Sequence, residues 1–302
     1  MKVWIDGSIV DGKEARLSVT DHGFLYGDGV FEGMRAYSGR LFRLDDHLRR
    51  LEVSARAIAL DIPGGLDHVR SVVLQTVAAT GSPDAYIRLL VTRGEGPLGV
   101  DPTTCTEPKL ICIVDTVDLF PPERAAHGVD VVTATLRRPG ADVLDPRVKS
   151  LNYLNNVLCK GEARRRGADD ALLLNQQGAV AECTGANIFA VLGGVVTTPP
   201  TTDGALDGIT RRTILELCAG LGIEARERTM GRIDFFAADE AFLTGSGARV
   251  VPVRSLDSQP IGRGSDGAQT PGPVTKRLTG AFFEFARSTG TPIPYPSARA
   301  AG

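Results

Sequence analysis

Residues 187–199, NIFAVLGGVVTTP, are two runs rich in branched side chains on either side of Gly193–Gly194. Such a stretch pairs back on itself as a β-hairpin, because a Gly–Gly step supplies the left-handed backbone that a two-residue reversal needs. Just upstream, DALLLN and AVAECT flank Gln176–Gln177–Gly178 and repeat the arrangement. Antiparallel neighbours this close in sequence argue against a regular doubly wound sheet, in which a helical crossover follows each strand.

The N-terminal part reads in the same way. VWIDGSIV is a hairpin around Asp6–Gly7, and GVFEGMRAYSGRLFRL continues it as two strands broken at Ser38–Gly39. Phe31, Gly33, Arg35 and Tyr37 alternate onto one face. LDDHLRRLEVSARAIAL and LDHVRSVVLQTVAATG carry helical spacing, and DAYIRLLVTRG and PKLICIVDTV are strands rich in β-branched residues. This is an α+β pattern for residues 1–118. DLFPPERAAHG has Pro–Pro, charge and no period, so 119–128 is expected to be a linker and 129–302 a second, larger domain. There VDVVTATLRR, the two hairpins, the helix GITRRTILELCAGLG, the strand DEAFLTGS and the helix VTKRLTGAFFEFARSTG follow one another. A frayed tail, TPIPYPSARAAG, ends the chain.

Composition narrows the functional classes. A 302-residue chain with 42% hydrophobic residues has room for two domains with real cores. A net charge of −2 without a basic face argues against nucleic acid or a membrane surface as partner. The sequence has no apolar run of membrane-spanning length and no apolar leader core. Five scattered cysteines without CxxC spacing indicate reduced thiols in a cytoplasm, and four histidines without ligand spacing point to no metal.

DPRVKSLNYLNNVLCKGEARRRG draws attention to Lys149. Ser150 reads as a helix N-cap. Leu151, Leu154, Val157 and Leu158 give helical apolar spacing, and Arg164–Arg166 with Gly167 form the helix end. Lys149 is thus expected at a helix mouth; taken alone, a lysine is a solvated surface residue. Two segments would cup an anion with backbone N–H groups. LDGITRR places Gly208, Ile209 and Thr210 at a helix start, and FLTGSGARV places Ser246 and Gly247 at a strand end. Each alone is ordinary turn chemistry. Together with a placed lysine, they suit a phosphate-bearing aldehyde cofactor, which also needs a carboxylate near its ring nitrogen. Glu182, among small apolar neighbours in AVAECTGAN, is the candidate, against the plain reading of a strand-face residue in water.

YGDGVFEGMR, AYIRLLVTRGEGPLGVDP, VKSLNYLNN, GAVAECTGANIF, LDGITR and GPVTK, in this order and spacing, resemble the class IV aminotransferases. These are the fold-type IV pyridoxal-phosphate enzymes, and the chain is most similar to the branched-chain amino acid aminotransferases. The resemblance runs from about Trp4 to about Phe285. It implies a small N-terminal α/β domain, a larger C-terminal pseudo-barrel domain, and a homodimer or higher homo-oligomer with active sites at the domain and subunit interface. Activity would be transamination of L-leucine, L-isoleucine and L-valine with 2-oxoglutarate, so the partners are small amino and 2-oxo acids.

By the same resemblance, Lys149 is the Schiff-base lysine and the proton carrier, and Glu182 pairs with the pyridine N–H. Tyr153 hydrogen-bonds the phenolic oxygen and Arg50 binds phosphate, although Arg43, Arg49 and Arg56 look equally exposed in the sequence. Ile209, Thr210 and Ser246 complete the phosphate cup, and Asn187 supports the Glu182 strand. Tyr26, Phe31, Gly33 and Arg35 match one substrate wall and Tyr86 and Arg88 another, with Val100 contributed by a neighbouring subunit. Gly247 and Ala248 lie in the turn that cradles the substrate carboxylate. Where the branched-chain enzymes usually read Gly–Thr–Ala–Ala–Glu, this chain has Gly–Ser–Gly–Ala–Arg at 245–249, and Gly247 is expected to loosen the turn. Cys183 and Ala186 replace the more usual glycine and acidic residue. The alternatives are a D-amino acid or (R)-amine aminotransferase, an aminodeoxychorismate lyase, or a non-catalytic homologue.

Overall fold

A computed structural model describes residues 1–262 and 270–295; the end of the expected frayed tail lies outside the described residues. The strands are β1 (Lys2–Ile5), β2 (Ser8–Asp11), β3 (Gly29–Tyr37), β4 (Arg40–Leu41), β5 (Ala85–Thr92), β6 (Lys109–Asp115), β7 (Val129–Thr133) and β8 (Asp170–Leu174). They continue as β9 (Val180–Cys183), β10 (Asn187–Leu192), β11 (Val195–Thr198), β12 (Ala225–Glu227), β13 (Glu240–Gly245), β14 (Arg249–Leu256), β15 (Gln259–Pro260) and β16 (Thr291–Pro292). The helices are α1 (His22–Tyr26), α2 (Leu44–Ala57), α3 (Gly65–Ala78), α4 (Pro122–His127), α5 (Ala141–Leu144), α6 (Leu154–Arg165), α7 (Ile209–Gly220), α8 (Arg232–Phe236) and α9 (Pro273–Ser288).

Two units emerge. The first comprises Met1–Val117, Lys149–Asn152 and the stretch from Ala286; the second comprises Asp118–Val148 and Tyr153–Phe285. The change at Val117–Asp118 falls beside the boundary expected near 118. Two later segments belong to the first unit rather than to a continuous domain over 129–302, because backbone hydrogen bonds recruit them: Ser150 bridges Val30, and β16 pairs with β4. The expected linker is not irregular either. It contains α4, whose Arg124 forms ion pairs with Asp130 and Asp169 within the second unit.

In the first unit, an antiparallel sheet runs β16-β4-β3-β5-β6-β1-β2. The hairpin at Asp6–Gly7 forms as expected, but β3 lies between β4 and β5 instead of continuing that hairpin. Alternation along β3 sends Val30, Met34 and Ala36 into a core with Leu44, Leu48 and Leu51 of α2 and Val69, Val73 and Val77 of α3. Phe31, Gly33 and Arg35 therefore face the other way.

The second unit is built on a nine-stranded sheet, β12-β11-β10-β13-β14-β7-β8-β9 with β15 paired to β14. Its strand pairs are mixed: β7 is parallel to both β8 and β14, and the expected hairpins β8–β9 and β10–β11 are antiparallel. Helix α6 begins at Leu154, with Tyr153 at its N-cap, and ends as expected before Gly167, φ 75°. Its buried face is Asn156, Cys159 and Ala163, while Leu154, Val157 and Leu158 point outward at 68%, 60% and 50% exposure. Small residues (Ala163, Ala168, Ala171) sit where the helix meets β8, so the leucines inferred from spacing do not form the packing stripe. No helix among the described residues is long and apolar enough to cross a membrane.

Candidate active site

Lys149 does not sit at a helix mouth. Its segment is extended: Phe31 N–H donates to the Lys149 carbonyl at 2.9 Å, and Leu151 N–H donates to the Gly29 carbonyl at 2.9 Å. Ser150 is therefore a strand-edge residue and caps no helix. From the other side, the Lys149 N–H donates to Ser54 Oγ on α2 at 3.1 Å. Backbone bonds on two sides fix the Lys149 Cα, and Nζ lies 4.5 Å from the centre of the Phe31 ring.

Around Phe31 the first unit gathers most of its expected substrate residues. The Arg88 guanidinium stacks over Phe31 at 4.6 Å, and its Nη2 donates to Tyr86 Oη at 3.0 Å. Cross-strand register sets Gly33 opposite Arg88 and Arg35 opposite Tyr86. A Cβ on Gly33 would lie 2.4 Å from Tyr86 Oη, so the glycine is what lets the phenol lie over β3. Arg35 is buried, and its Nη2 donates to the Val117 carbonyl at 2.6 Å. Among the described residues Arg88 Nε, which is buried, has no hydrogen-bond partner. Tyr26 Oη accepts the Gly99 N–H at 2.9 Å, which ties down the loop that carries Val100, itself 82% exposed.

On the helix-facing side of β3 lies a charge that the sequence reading missed. Glu32 is fully buried among core residues and takes both Nε and Nη2 of Arg50 at 2.7 Å each. His47 Nδ1 lies 2.7 Å from Glu32 Oε2. Burial opposes ionisation of Glu32, but the Arg50 charge and these hydrogen bonds prevail and hold its carboxyl well below the usual carboxylate range. Burial also pushes the His47 imidazole down, against the pull of Glu32, so the ring is neutral and its Nδ1–H donates to the carboxylate. Arg50 is thereby distinguished from Arg49, which is 72% exposed on the same helix. The signal was available: a carboxylate in register with Val30, Met34 and Ala36 breaks an otherwise apolar strand face.

The second unit assembles the other expected residues. Glu182, on β9, is buried; its Oε1 accepts from Arg138 Nη2 at 2.7 Å, and its Oε2 accepts from Asn187 Nδ2 and the Leu206 N–H at 3.1 Å each. The water-facing alternative for Glu182 is excluded. Arg138 also donates to Asn156 Oδ1 at 2.9 Å, and Asn156 donates to the Thr184 carbonyl at 2.7 Å, so the acid is braced on three sides. Neither Arg138 nor Asn156 was legible in the sequence.

Helix α7 starts at Ile209 as expected, behind Gly208, and no side chain caps it. Helix geometry leaves the first N–H groups without intrahelical partners, and Ile209 and Thr210 are both buried there. A Cβ on Gly208 would lie 2.0 Å from Asn187 Oδ1, so Asn187 ties the Glu182 strand to this helix start. Thr244, opposite Asn187 in the β10–β13 pair, keeps a buried hydroxyl without a partner among the described residues, next to the Gly245–Ala248 turn. Ser246 and Gly247 are half-buried in that turn and Ala248 is buried; Tyr153 is half-buried at the start of α6.

The first unit holds an amine on fixed backbone and a guanidinium, and the second holds helix-start amides, hydroxyls at a tight turn and a braced buried carboxylate; these are the kinds of group that pyridoxal phosphate needs. Comparison with known proteins agrees. The family described as amino-transferase class IV matches residues 29–256. A putative branched-chain-amino-acid aminotransferase of Methanocaldococcus jannaschii is 44% identical, over 97% of this chain and 99% of the relative. The crystal structure of the Escherichia coli branched-chain amino acid aminotransferase superposes with a TM-score of 0.90 at 32% identity, covering 96% of this chain and 95% of that one. The branched-chain amino acid aminotransferase of Thermobaculum terrenum, solved in its PLP-form (holo-form), gives 0.84 at 32% identity, covering 95% of this chain and 94% of that one. Fold, donor set and sequence thus place the chain among the class IV aminotransferases, enzymes that work with pyridoxal phosphate.

Proposed function

We propose that this enzyme transfers the amino group of L-leucine, L-isoleucine or L-valine to 2-oxoglutarate, releasing the branched 2-oxo acid and L-glutamate. The observation that carries the reading is the Phe31–Tyr86–Arg88 wall, in which aromatic surface and one buried-edge guanidinium share a face. Such a wall accepts an aliphatic side chain against its rings in one half-reaction and a distal carboxylate against its cation in the other. The relatives named above are called branched-chain amino acid aminotransferases, which supports this reading. An aliphatic pocket separates side chains differing by one methylene by only ~1–3 kcal/mol, so all three donors react.

When bound, pyridoxal phosphate supplies an aldehyde that takes up the amino group and a ring that draws electrons from the donor α-carbon. In our reading Lys149 Nζ would be the amine that holds the aldehyde and the group that carries the α-proton. Glu182, charge-paired with Arg138 and fixed by Asn187, accepts the ring N–H, and the Tyr153 hydroxyl bonds the phenolic oxygen. Arg50, Ser246 and the Ile209 and Thr210 amides hold the phosphate. Tyr26, Gly33 and Arg35 shape the substrate space, and the Gly247 and Ala248 amides take the substrate α-carboxylate. Val100, being exposed, suits a side chain offered to a neighbouring copy, so a homodimer or larger homo-oligomer belongs to the reading.

The test is a donor panel on purified holoenzyme. L-leucine, L-isoleucine and L-valine with 2-oxoglutarate are expected to turn over, and borohydride treatment is expected to leave a phosphopyridoxyl mass on the Lys149 peptide. Efficient turnover of D-alanine or an (R)-arylamine with L-leucine untouched would overturn the substrate reading, and trapping at another lysine would overturn the role of Lys149.

A further inference from the structure

The turn from Ser246 to Ala248 closes β13 onto β14 through the Gly245–Arg249 pair. Arg249 there adopts φ 66°, a left-handed conformation that residues with side chains disfavour. Its guanidinium reaches Asp118 Oδ1 at 2.7 Å. Alongside, a Cβ built on Gly247 would lie 2.7 Å from Leu119 Cδ1 and 3.1 Å from Leu119 Cγ. Gly247 is not among the glycines with positive φ, so its backbone conformation does not require glycine. Leu119 approaches it closely and occupies the volume that a side chain at 247 would fill. Phe120, buried in the core of the same unit, anchors the other end of this short segment. The turn is therefore not loosened by Gly247, as the sequence suggested, but covered.

We propose that Leu119, clamped by the Asp118–Arg249 ion pair, is a positioning residue of this aminotransferase: it stands in for a side chain at 247 and fixes the turn that receives the substrate α-carboxylate. The inference rests on the reading of that turn as the carboxylate cradle. Leu119 is 43% exposed, so its truncation leaves the core intact.

The experiment compares steady-state kinetics of the holoenzyme and four variants. Leu119→Ala is expected to raise KM for L-leucine and for 2-oxoglutarate about five- to tenfold, with kcat within about twofold and cofactor content unchanged. Gly247→Ala alone displaces Leu119 and raises KM in the same direction. Combining Gly247→Ala with Leu119→Ala is expected to give a KM below that of either single variant, since the new Cβ fills the space left by the leucine. Asp118→Asn, which only weakens an exposed ion pair, raises KM by no more than about threefold. An unmoved KM in Leu119→Ala, or a double variant at least as impaired as the worse single one, would overturn the inference while wild-type activity on L-leucine keeps the functional reading standing. Wild-type enzyme inactive on L-leucine removes the functional reading, and the clasp is then decided by the same KM pattern with 2-oxoglutarate and the donor the enzyme accepts.

Discussion

Glu32→Gln is the sharpest probe of the first unit, because it changes charge with almost no change in volume. In the native protein Glu32 is 0% exposed and takes three hydrogen bonds at 2.7 Å, two from Arg50 and one from His47. The amide has one acceptor oxygen, so its NH₂ faces Arg50 Nε or, turned over, both Arg50 Nη2 and the His47 N–H, donor against donor. The Arg50 side chain, only 11% exposed, meanwhile loses its charge pair with Glu32. Removing one partner of a buried pair costs about 3–5 kcal/mol, and about 3 kcal/mol suits a substitution that retains one acceptor. For a cooperative unit of roughly 150 residues this lowers Tm by about 6–12 °C. The pH dependence has a definite sign. The folded-state pKa of Glu32 is depressed, so its contribution is fully present above the ordinary carboxylate value of about 4.3 and is lost as pH falls below it. His47, held neutral by burial, acts in the same direction: the unfolded chain binds more protons below about 6.5, so acid again favours unfolding. Scanning calorimetry of wild type and variant from pH 8 to pH 3 is the assay. The stability gap is expected to be widest near pH 7 and to narrow below pH 4.5. A Tm loss under about 2 °C at pH 7, or a gap that widens in acid, would refute the assignment of Glu32 as an ionised carboxylate paired to Arg50.

Two further substitutions test the site. Arg138→Met removes the charge paired with Glu182 at 2.7 Å but keeps much of the buried stem, and kcat is expected to fall at least about tenfold with overall helix content unchanged by circular dichroism. Gly33→Ala forces a Cβ into the Tyr86 hydroxyl, 2.4 Å away; the displaced wall is expected to raise KM for both substrates by about tenfold with cofactor binding intact, as equilibrium titration would show.

The elements that could be read from the sequence were those set by local rules. The Gly193–Gly194 and Asp6–Gly7 reversals, the start of α7 behind Gly208 and the end of α6 before Gly167 depend on neighbouring residues alone, and all form as read. What local rules could not convey was the long-range pairing that defines the setting of Lys149. Its β-type bonds go to Phe31 and its N–H goes to Ser54, residues far away in sequence, so Ser150 looked like a helix cap. Apolar spacing misled in α6 for a related reason: periodicity locates an apolar stripe but does not say that small residues are needed to bring the helix close to β8. Arg138 sat in an unremarkable polar stretch because its partner, Glu182, lies 44 positions further on.

Strand β3 shows why the functional and structural parts of this site cannot be separated. Its odd-numbered face carries Phe31, Gly33 and Arg35, the proposed substrate wall, while its even-numbered face carries Glu32 into the helix-packed core. Helix α2 answers with His47, Arg50 and Ser54 on one stripe, spaced three and four apart. The first two meet Glu32, and the third holds the Lys149 backbone. A shift of α2 along β3 would therefore move the Arg50 guanidinium and the Lys149 anchor together. The buried carboxylate makes such a shift costly, since any register other than the native one leaves an ionised group in the core without its two donors. An expensive buried charge thus does something an apolar residue at 32 would not: it fixes the register between the strand that carries the proposed substrate wall and the helix that holds Arg50 and the Lys149 backbone.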